Sequence, residues 1–364
     1  MAQVSQADIF NNVLPLLQAL ISTPSFSKEE EQTAAKIFAF LQQHGIEPHQ
    51  KGNNVWVQNK YYDTAKPTLL LNSHHDTVKP NSGYTRNPFE ATIENGKLYG
   101  LGSNDAGAPL IALLGAFLNF YDRADLPFNL VYAATAEEEI SGKGGIENIT
   151  ADLGNISAAI VGEPTQMQMA VAERGLMVLD CVAKGVAGHA ARNEGVNAIY
   201  EAMTDIEWFR NYKFEKKSKW LGEVNMNVTV INAGIAHNQV PAECKFVVDV
   251  RLNECYTHEE LLTIIRQHVK SAVTPRSTRI KANFVNEQHP LVRAAENLNI
   301  PCFGSSTTSD MALMPWQAVK MGPGDSARSH SADEFIYLSE IQEGISTYIN
   351  VIEELAVQST INTI

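Results

Sequence analysis

The sequence predicts an α/β fold, in which a mostly parallel sheet with helices on both faces is interrupted by a smaller α+β domain. Apolar runs typical of buried strands alternate with helical stretches before residue 174 and again after about residue 284. Between those points the strand patterns are longer and alternate apolar with polar residues, as in antiparallel strands that have one solvated face. The predicted domains are therefore 1–173 with 284–364, and an inserted 174–283.

The elements of the first domain follow from local signals in chain order. The first 50 residues indicate two helices, and the second is expected to begin at a capping box, Ser27–Glu30, and to end before Gly45. Beyond them, continuous apolar strands alternate with a helix, which implies a parallel sheet covered on both faces. The predicted strands are 68–74, 128–135 and 157–162, and the helix is 108–121.

The inserted domain and the C-terminal part are predicted in the same way. The insertion should contain strands at 223–232 and 243–252 and helices at 197–209 and 257–273. After it, a helix, a strand and a helix should resume the first domain. These last elements are predicted at 289–298, 317–322 and 339–358.

Composition excludes several classes of function. Hydrophobic residues make up 44% of the chain and charged residues 19%, which is ordinary for a globular protein. The formal net charge is −13 and no basic run offers a track for nucleic acid. The four cysteines form no CxxC pair, so a local thiolate zinc site is not expected and the thiols should be reduced. Without a signal-peptide pattern or a long apolar run, we expect a cytoplasmic protein that binds no membrane.

The first chemical motif is "HHD" at the end of a predicted strand. Side chains alternate along a strand, so His74 and Asp76 should face one way and His75 the other. This pairing suits a histidine that binds a metal through one ring nitrogen and donates its other N–H to a carboxylate. A hydrogen-bonded His-Asp pair without metal fits the motif equally well.

Carboxylates follow other predicted strands or lie in a glycine-rich loop before a helix. Asp105 is in that loop, Glu137–Glu139 follow one strand and Glu163 follows another, while His330 comes after a Gly-Pro-Gly turn. In open α/β sheets, ligands bind outside the carboxyl ends of the strands. Each of these residues alone would fit a solvated loop. Together they would repel one another unless cations neutralise them, which favours a metal centre.

These motifs, in this order, resemble the zinc-dependent amidohydrolase and exopeptidase family that includes acetylornithine deacetylase, succinyl-diaminopimelate desuccinylase, aminoacylase and carboxypeptidase G. The resemblance implies a catalytic α/β domain interrupted by a lid or dimerisation domain. It also implies two zinc ions per subunit, for which Co²⁺ or Mn²⁺ could substitute. His74 and Glu163 would hold one ion, Glu139 and His330 the other, and Asp105 would bridge them. The positive charge of two zinc ions equals the negative charge of three carboxylates and one hydroxide. A single zinc ion would leave a net negative charge.

The resemblance also implies catalytic roles. Glu138 matches the family's general base, and Asp76 would orient His74. His189, in the inserted domain, matches a histidine that reaches the neighbouring subunit's site and stabilises the oxyanion, which implies a homodimer. Asn238 and Arg251 match substrate-binding positions, and Gly322 and Gly324 are assigned to the same group. A structural salt bridge with Asp249 remains the alternative for Arg251.

The chain departs from the family pattern at a few positions near these motifs. Leu101 and Ala106–Ala108 stand where basic residues are common, Ser73 replaces a glycine, and Glu137 replaces an aspartate. None of these removes a predicted ligand, but they leave the substrate preference open. By resemblance, the peptide bond between Asp105 and Ala106 should be cis.

Within the family, "EGVNAIYEAM", "IVGEPT" and "GPGD" look most like the acetylornithine deacetylase branch. The expected reaction is metal-dependent hydrolysis of a small N-acyl-L-amino acid, N-acetyl- or N-succinyl-L-ornithine or a citrulline derivative, in arginine biosynthesis. A dipeptidase or carboxypeptidase with the same two-zinc centre is the enzymatic alternative. A metal-bound binding protein without catalysis is the alternative of another class.

Overall fold

The structure is a computed structural model that describes residues 5–192 and 194–358. Its α-helices and β-strands alternate along the chain, as the sequence predicts. Within the described residues the helices are α1 (Gln6–Ile21), α2 (Glu31–Gln43), α3 (Ala108–Phe120), α4 (Ile146–Ile149), α5 (Ala198–Asn211), α6 (His258–His268), α7 (Pro290–Asn297) and α8 (Leu338–Val357). The strands of the first half are β1 (His49–Lys51), β2 (Asn54–Gln58), β3 (Thr68–His74), β4 (Thr92–Glu94), β5 (Lys97–Tyr99), β6 (Asn129–Thr135), β7 (Ala158–Val161) and β8 (Met169–Glu173).

The second half contributes the remaining strands of the described chain. They are β9 (Gly175–Lys184), β10 (Gly188–His189), β11 (Asn225–Ala233), β12 (Gln239–Val240), β13 (Glu243–Leu252), β14 (Ala272–Pro275), β15 (Asn283–Phe284), β16 (Cys302–Ser305), β17 (Gln317–Lys320) and β18 (Phe335–Tyr337). None of the helices in residues 5–192 and 194–358 combines the length and the apolar character needed to cross a bilayer.

The main sheet is parallel at its centre, which confirms the predicted fold class. Its strands run in the order β1-β2-β6-β3-β7-β17-β8-β15, with β16 also paired to β8, and β6, β3, β7 and β17 are mutually parallel. Every residue of β3 and β6 is buried, so both faces of these strands are covered. Parallel neighbours end at the same edge, so the residues after β3, β6 and β7 meet there.

Helices cover both faces of this sheet. On one face α3 is buried almost throughout, and Tyr132 of β6 donates a hydrogen bond to Leu110 O of α3. The other face packs Leu70 and Val131 against α4 and Met311. The central strands are therefore held from both sides, and their carboxyl ends form a rigid edge.

A second compact unit has its own antiparallel sheet and its own core. The sheet order is β11-β13-β9-β14, and β9 and β13 alternate buried with half-buried or exposed residues. The buried side chains pack with α5 and α6, through residues such as Phe209, Phe246 and Leu261. The first unit comprises 1–171, 284–303 and 309–364, and the second comprises 172–283 with 304–308.

Two local predictions were wrong. Ser27–Glu30 does not cap α2: the helix begins at Glu31 without a side-chain cap, because Ser27 donates instead to Asp76 and Glu30 accepts bonds from Asn53 and Glu137. The helix expected at 257–273 ends at His268, and 272–275 forms β14. Asp205 of α5 accepts the Ser271 amide at 2.8 Å, a contact that draws the chain away from the helix axis.

The predicted stop at Gly45 is correct, with φ +70° two residues after α2.

Candidate metal centre

Five side chains predicted as metal ligands lie at or near the carboxyl edge of the main sheet. His74 is the last residue of β3 and pairs with Thr135 at the end of β6, which is followed by Glu138 and Glu139. Glu163 follows β7, the other parallel neighbour of β3. Asp105 comes from the loop before α3, and His330 from the segment after β17. The chain brings them together from widely separated positions.

The ring of His74 is oriented by hydrogen bonding. Its Nδ1 lies 3.0 Å from Asp76 O and 3.4 Å from Asp76 Oδ1, and since both atoms can only accept, Nδ1 carries the proton. In the neutral ring, the lone pair of Nε2 then faces the carboxylates. Nε2 lies 3.4 Å from Asp105 Oδ1, 3.7 Å from Glu138 Oε2 and 3.8 Å from Glu163 Oε1. This is the tautomer that a metal-binding Nε2 needs.

His75 points the other way, as strand alternation predicts. Its Nε2 lies 2.9 Å from Asn53 O, and its Nδ1 lies 2.9 Å from the Thr33 hydroxyl. Burial lowers the pKa of His75 to about 4, so the ring is neutral at physiological pH. His75 is a hydrogen-bonded interior residue and takes no part in the carboxylate cluster.

A second histidine faces the cluster from the opposite side of Asp105. His330 Nε2 lies 3.0 Å from Glu139 Oε2 and 3.8 Å from Asp105 Oδ2. The two carboxylate oxygens of Asp105 therefore face different histidines, Oδ1 towards His74 and Oδ2 towards His330. The Asp105–Ala106 peptide bond is cis, as the resemblance implies.

The donor atoms fit divalent metal ions. Among the described residues, two groups have ligand atoms within 4.8 Å of one another: His74 with Glu138 and Glu163, and His74 with Asp105 and Glu139. His74 Nε2, Glu139 Oε1 and Glu163 Oε1 are buried and have no hydrogen-bond partner in the described part of the chain. Leaving such atoms unpaired is costly, and imidazole with carboxylates is a donor set that suits zinc and related ions.

The electrostatics of the cluster point the same way. Burial, followed by the charge of Asp105, raises the pKa of Glu163 to about 8. Burial also raises the pKa of Glu138 well above its usual value, and Glu163, Asp310 and Glu139 add to the effect. Burial alone would lower the pKa of His74, but the surrounding carboxylates raise it well above the usual value. This density of buried negative charge calls for cations.

Comparison with known proteins identifies the family of the chain. The sequence model of the family described as "Peptidase family M20/M25/M40" matches residues 70–354 of the chain. The chain belongs to this family. It is a metallo-hydrolase by that membership, which agrees with the histidine and carboxylate cluster at the sheet edge.

Individual M20/M25/M40 relatives are distant but cover most of the chain. A "[LysW]-lysine/[LysW]-ornithine hydrolase" of Sulfurisphaera tokodaii is 27% identical over 83% of this chain and 85% of its own length. An acetylornithine deacetylase of Myxococcus xanthus is 27% identical over 91% and 90%. The crystal structure of a dinuclear metal-binding M20 peptidase of Bacillus subtilis superposes with a TM-score of 0.71 at 16% identity, over 98% and 100%. That structural likeness establishes the shared fold.

In this M20/M25/M40 chain Asp76 contacts backbone amides as well as the ring of His74. Its two carboxylate oxygens accept the amide N–H groups of Glu138 and Glu139 at 3.0 and 3.2 Å. Ser27 Oγ donates to the same carboxylate at 2.7 Å. Asp76 thus connects the end of β3 to the acidic turn after β6. The sequence reasoning assigned it only the orientation of His74.

Glu30 is a further anchor that sequence reasoning assigned to a helix cap. It is fully buried and accepts the Glu137 amide at 3.2 Å, the Lys28 amide at 2.7 Å and Asn53 Nδ2 at 2.8 Å. Glu137 has φ +56°, an unfavourable region for a non-glycine residue, and starts the turn that presents Glu138. The run "SKEE" carried no signal for this role, because its partners lie far along the chain.

Gly322 and Gly324, predicted to bind substrate, are packed against site loops. A Cβ at Gly322 would lie 2.5 Å from Glu163 O, and one at Gly324, where φ is +94°, would lie 2.5 Å from Asn104 Oδ1. Close backbone approach to the loops that carry Glu163 and Asp105 therefore requires glycine at both positions. Their contact with substrate stays a prediction.

The other predicted residues lie in the second unit. His189 is exposed in β10, where its Nδ1 accepts the Ala191 amide at 3.2 Å, and Asn238 O accepts the Ala190 amide at 3.1 Å. Arg251 forms a two-pronged pair with Asp249, with Nε and Nη2 at 2.8 and 3.1 Å from the two oxygens. The salt bridge left open as an alternative is thus present, and the substrate-binding roles remain predictions.

Proposed function

We propose that the chain hydrolyses the amide bond of an N-acyl-L-amino acid, N-acetyl- or N-succinyl-L-ornithine or the citrulline equivalent, in arginine biosynthesis. The observation that carries the proposal is Glu138, a carboxylate only 12% exposed that lies beside both His74 and Glu163 and is next in sequence to Glu139, the partner of His330. A purely structural metal site has no use for an extra buried carboxylate. A hydrolase needs one to move a proton.

We assign two zinc ions to the cluster, with Co²⁺ or Mn²⁺ as substitutes. His74 and Glu163 would hold one ion, Glu139 and His330 the other, and Asp105 both. The opposed oxygens of Asp105 support this division, because each faces a different histidine. What zinc supplies at such a site is Lewis acidity, which lowers the pKa of water and polarises an acyl carbonyl.

The chain's own residues would carry the proton through the reaction. Glu138 takes a proton from the attacking water as the water oxygen bonds to the acyl carbon. It then delivers that proton to the nitrogen as the C–N bond breaks, so a carboxylate and a free amine leave. Asp76 keeps the Glu138 amide fixed throughout. His189 is proposed to donate to the developing oxyanion from the neighbouring subunit.

The names of some relatives support ornithine-type substrates, whereas others are named succinyl-diaminopimelate desuccinylase or probable carboxypeptidase. One relative is named for the hydrolysis of LysW-lysine and LysW-ornithine, and another for acetylornithine. Both names include ornithine, a diamino acid. Arg251 and Asn238 are the proposed contacts for the substrate carboxylate or amide, in which case Asp249 would share the guanidinium of Arg251 with the substrate.

The test is amine release by zinc-loaded protein on N-acetyl-L-ornithine, N-succinyl-L-ornithine, N-acetyl-L-citrulline and a set of dipeptides. We expect one acyl-ornithine or acyl-citrulline to exceed the dipeptides in kcat/KM by at least about 100-fold, which is below the roughly 10⁴-fold that a pocket pairing a polar group can reach. Activity on dipeptides alone would move the chain to the dipeptidase or carboxypeptidase alternative. Two bound zinc ions without any turnover would favour the binding-protein alternative.

We also propose a homodimer formed by the second unit. In the described chain, one edge of β11 pairs with β13 and the other edge has no strand partner. Val230 and Ile231 of β11 are exposed. Tyr200 and Met203 of α5 are exposed as well, and α5 packs against the same sheet. An open strand edge with exposed apolar residues fits pairing with a second copy.

Sedimentation of wild type and Ile231→Lys tests the dimer. A lysine on an edge strand discourages strand pairing, so the variant should sediment as a monomer and lose activity if His189 acts in trans. Ile93→Lys is the matched control, since Ile93 is a similarly exposed strand residue of the first unit. A monomeric wild type would exclude the trans role of His189.

A further inference from the structure

We propose that Glu334 is a positioning residue that fixes the loop carrying Asp105, a role that rests on the metal centre proposed above. Glu334 is 1% exposed, and its carboxylate accepts three backbone N–H groups of that loop. Oε1 accepts from Asn104 and Asp105 at 2.8 and 2.9 Å, and Oε2 accepts from Gly102 at 3.2 Å. The donors are the residue that would bridge the two ions and its near neighbours.

The same segment ties the loop at further points. Glu334 O accepts the Gly100 amide at 3.0 Å, and β18, which begins at the next residue, pairs with β5 just before the loop. Asn104 is held separately, because its side chain exchanges hydrogen bonds with the Asp325 backbone at 3.0 and 3.1 Å. The backbone from Gly100 to Asp105 is therefore fixed mainly by the residues around Glu334.

Glu334 lies close in sequence to His330, so its hydrogen bonds affect both halves of the proposed metal centre. His330 lies four residues earlier, so one short segment supplies a proposed ligand and also anchors the loop of the proposed bridging ligand. His330 and Asp105 face each other at 3.8 Å. A carboxylate that fixes the Asp105 amide sets the distance between the two halves of the centre. Such outer partners typically change metal affinity or activity by about 10–100-fold when removed.

Glu334 itself is unsuited to binding metal or transferring a proton. Both of its oxygens are engaged by amide donors of the Asp105 loop. The three N–H donors offset part of the cost of burying this carboxylate. Its action on the reaction would therefore pass through Asp105.

Three variants separate this role from a general loss of stability. Glu334→Ala removes all three acceptor contacts. Glu334→Gln keeps an oxygen for Asn104 and Asp105 but turns an amide N–H₂ towards Gly102. Asp333→Asn is the matched control, because the neighbouring Asp333 also anchors backbone amides, those of Thr85 and Arg86. Asparagine tolerates the φ of +53° found there.

The experiment is a Zn²⁺ titration of metal-free protein, with electron paramagnetic resonance of the Mn²⁺-loaded forms. We expect wild type and Asp333→Asn to bind two ions, with a spectrum of coupled Mn²⁺ pairs. Glu334→Ala should bind the weaker ion about 10–100-fold less tightly and show uncoupled Mn²⁺, and Glu334→Gln should lie between. A merely structural role would not change the coupling between the ions.

The outcomes distinguish the two proposals. Wild type that binds two coupled ions, together with unchanged affinity and coupling in Glu334→Ala, overturns the positioning role alone. Wild type that binds no Zn²⁺ overturns the proposed function and this role with it. If Glu334→Ala does not fold, Glu334→Gln decides: a several-fold loss of affinity supports the role, and wild-type values overturn it.

Discussion

At the scale of the residue, two adjacent glutamates have different neighbours, which supports the different roles proposed for them. Glu139 Oε2 lies 3.0 Å from His330, whereas Glu138 faces His74. Both amides are held by the carboxylate of Asp76, so neither glutamate can exchange places with the other. The sequence reasoning assigned the general base to Glu138 by resemblance, and the geometry is compatible with that assignment.

Glu138→Gln should reduce kcat by about 10²- to 10⁴-fold, because an amide cannot accept and return the proton. Bound zinc should remain near two ions per chain, since the proposed ligand set does not include Glu138. The measurement is turnover together with metal content. Glu137→Gln is the control: it makes the same charge change one residue away, at a side chain that accepts the Gly144 amide. Loss of metal along with activity would mean that Glu138 is a ligand.

At the scale of the element, helix ends are decided by contacts that the local sequence does not contain. α2 lacks the cap that "SKEE" suggests, because Ser27 and Glu30 bind other segments. α7, in contrast, is capped by His289, whose Nδ1 accepts the Leu291 amide at 3.2 Å. His289 is buried, and its Nε2 has no hydrogen-bond partner in the described chain.

His289 should make stability depend on pH. Burial lowers its pKa to about 4, below the ordinary 6.5, so the unfolded chain binds a proton that the folded chain does not. The stabilisation is complete above pH 6.5 and is lost as the pH falls towards 4. His289→Asn keeps a capping oxygen but does not titrate. Between pH 7 and 4.5, wild type should lose about 2–3 kcal/mol more unfolding free energy than the variant.

Urea unfolding at the two pH values provides that comparison, and the difference between the proteins removes the titration of all other groups. A matched variant is available at His268, an exposed histidine at the end of α6. His268→Asn should follow wild type at both pH values. Equal acid sensitivity of His289→Asn and wild type would show that His289 is protonated in the folded protein.

At the scale of the whole molecule, the proposed ligands join distant parts of the chain within one unit. His74, Asp105, Glu139, Glu163 and His330 all belong to the first unit, although the second unit interrupts it in sequence. Bound metal would link β3, the Asp105 loop and the segments after β6, β7 and β17. The second unit has a separate core of its own.

Chelation should therefore destabilise the first unit selectively. Free zinc at 100 times its dissociation constant contributes about 2.7 kcal/mol to the state that binds it. Removing the metal with EDTA should speed amide exchange by about 100-fold in β3 and β6 and leave β9 and β13 unchanged. Hydrogen exchange followed by mass spectrometry measures both, with zinc-saturated EDTA as the control. An equal acceleration in both units would contradict the assignment of the metal to the first.

The sequence by itself determined the α/β class, the positions of the central strands and the polar residues that follow them. Those features depend on periodicity and on short motifs, which physical rules connect directly to structure. "HHD" is the clearest case, because strand alternation alone separates His74 from His75.

Only the tertiary structure decided how the polar groups around the centre are used. Glu30 accepts the Glu137 amide and does not cap a helix, and Asp76 accepts two amides in addition to contacting His74. Glu334 accepts the Asp105 amide. A buried carboxylate can bind metal, move a proton or hold a backbone, and its partners determine which. Those partners come from segments tens to hundreds of residues away, so no local pattern distinguishes the three.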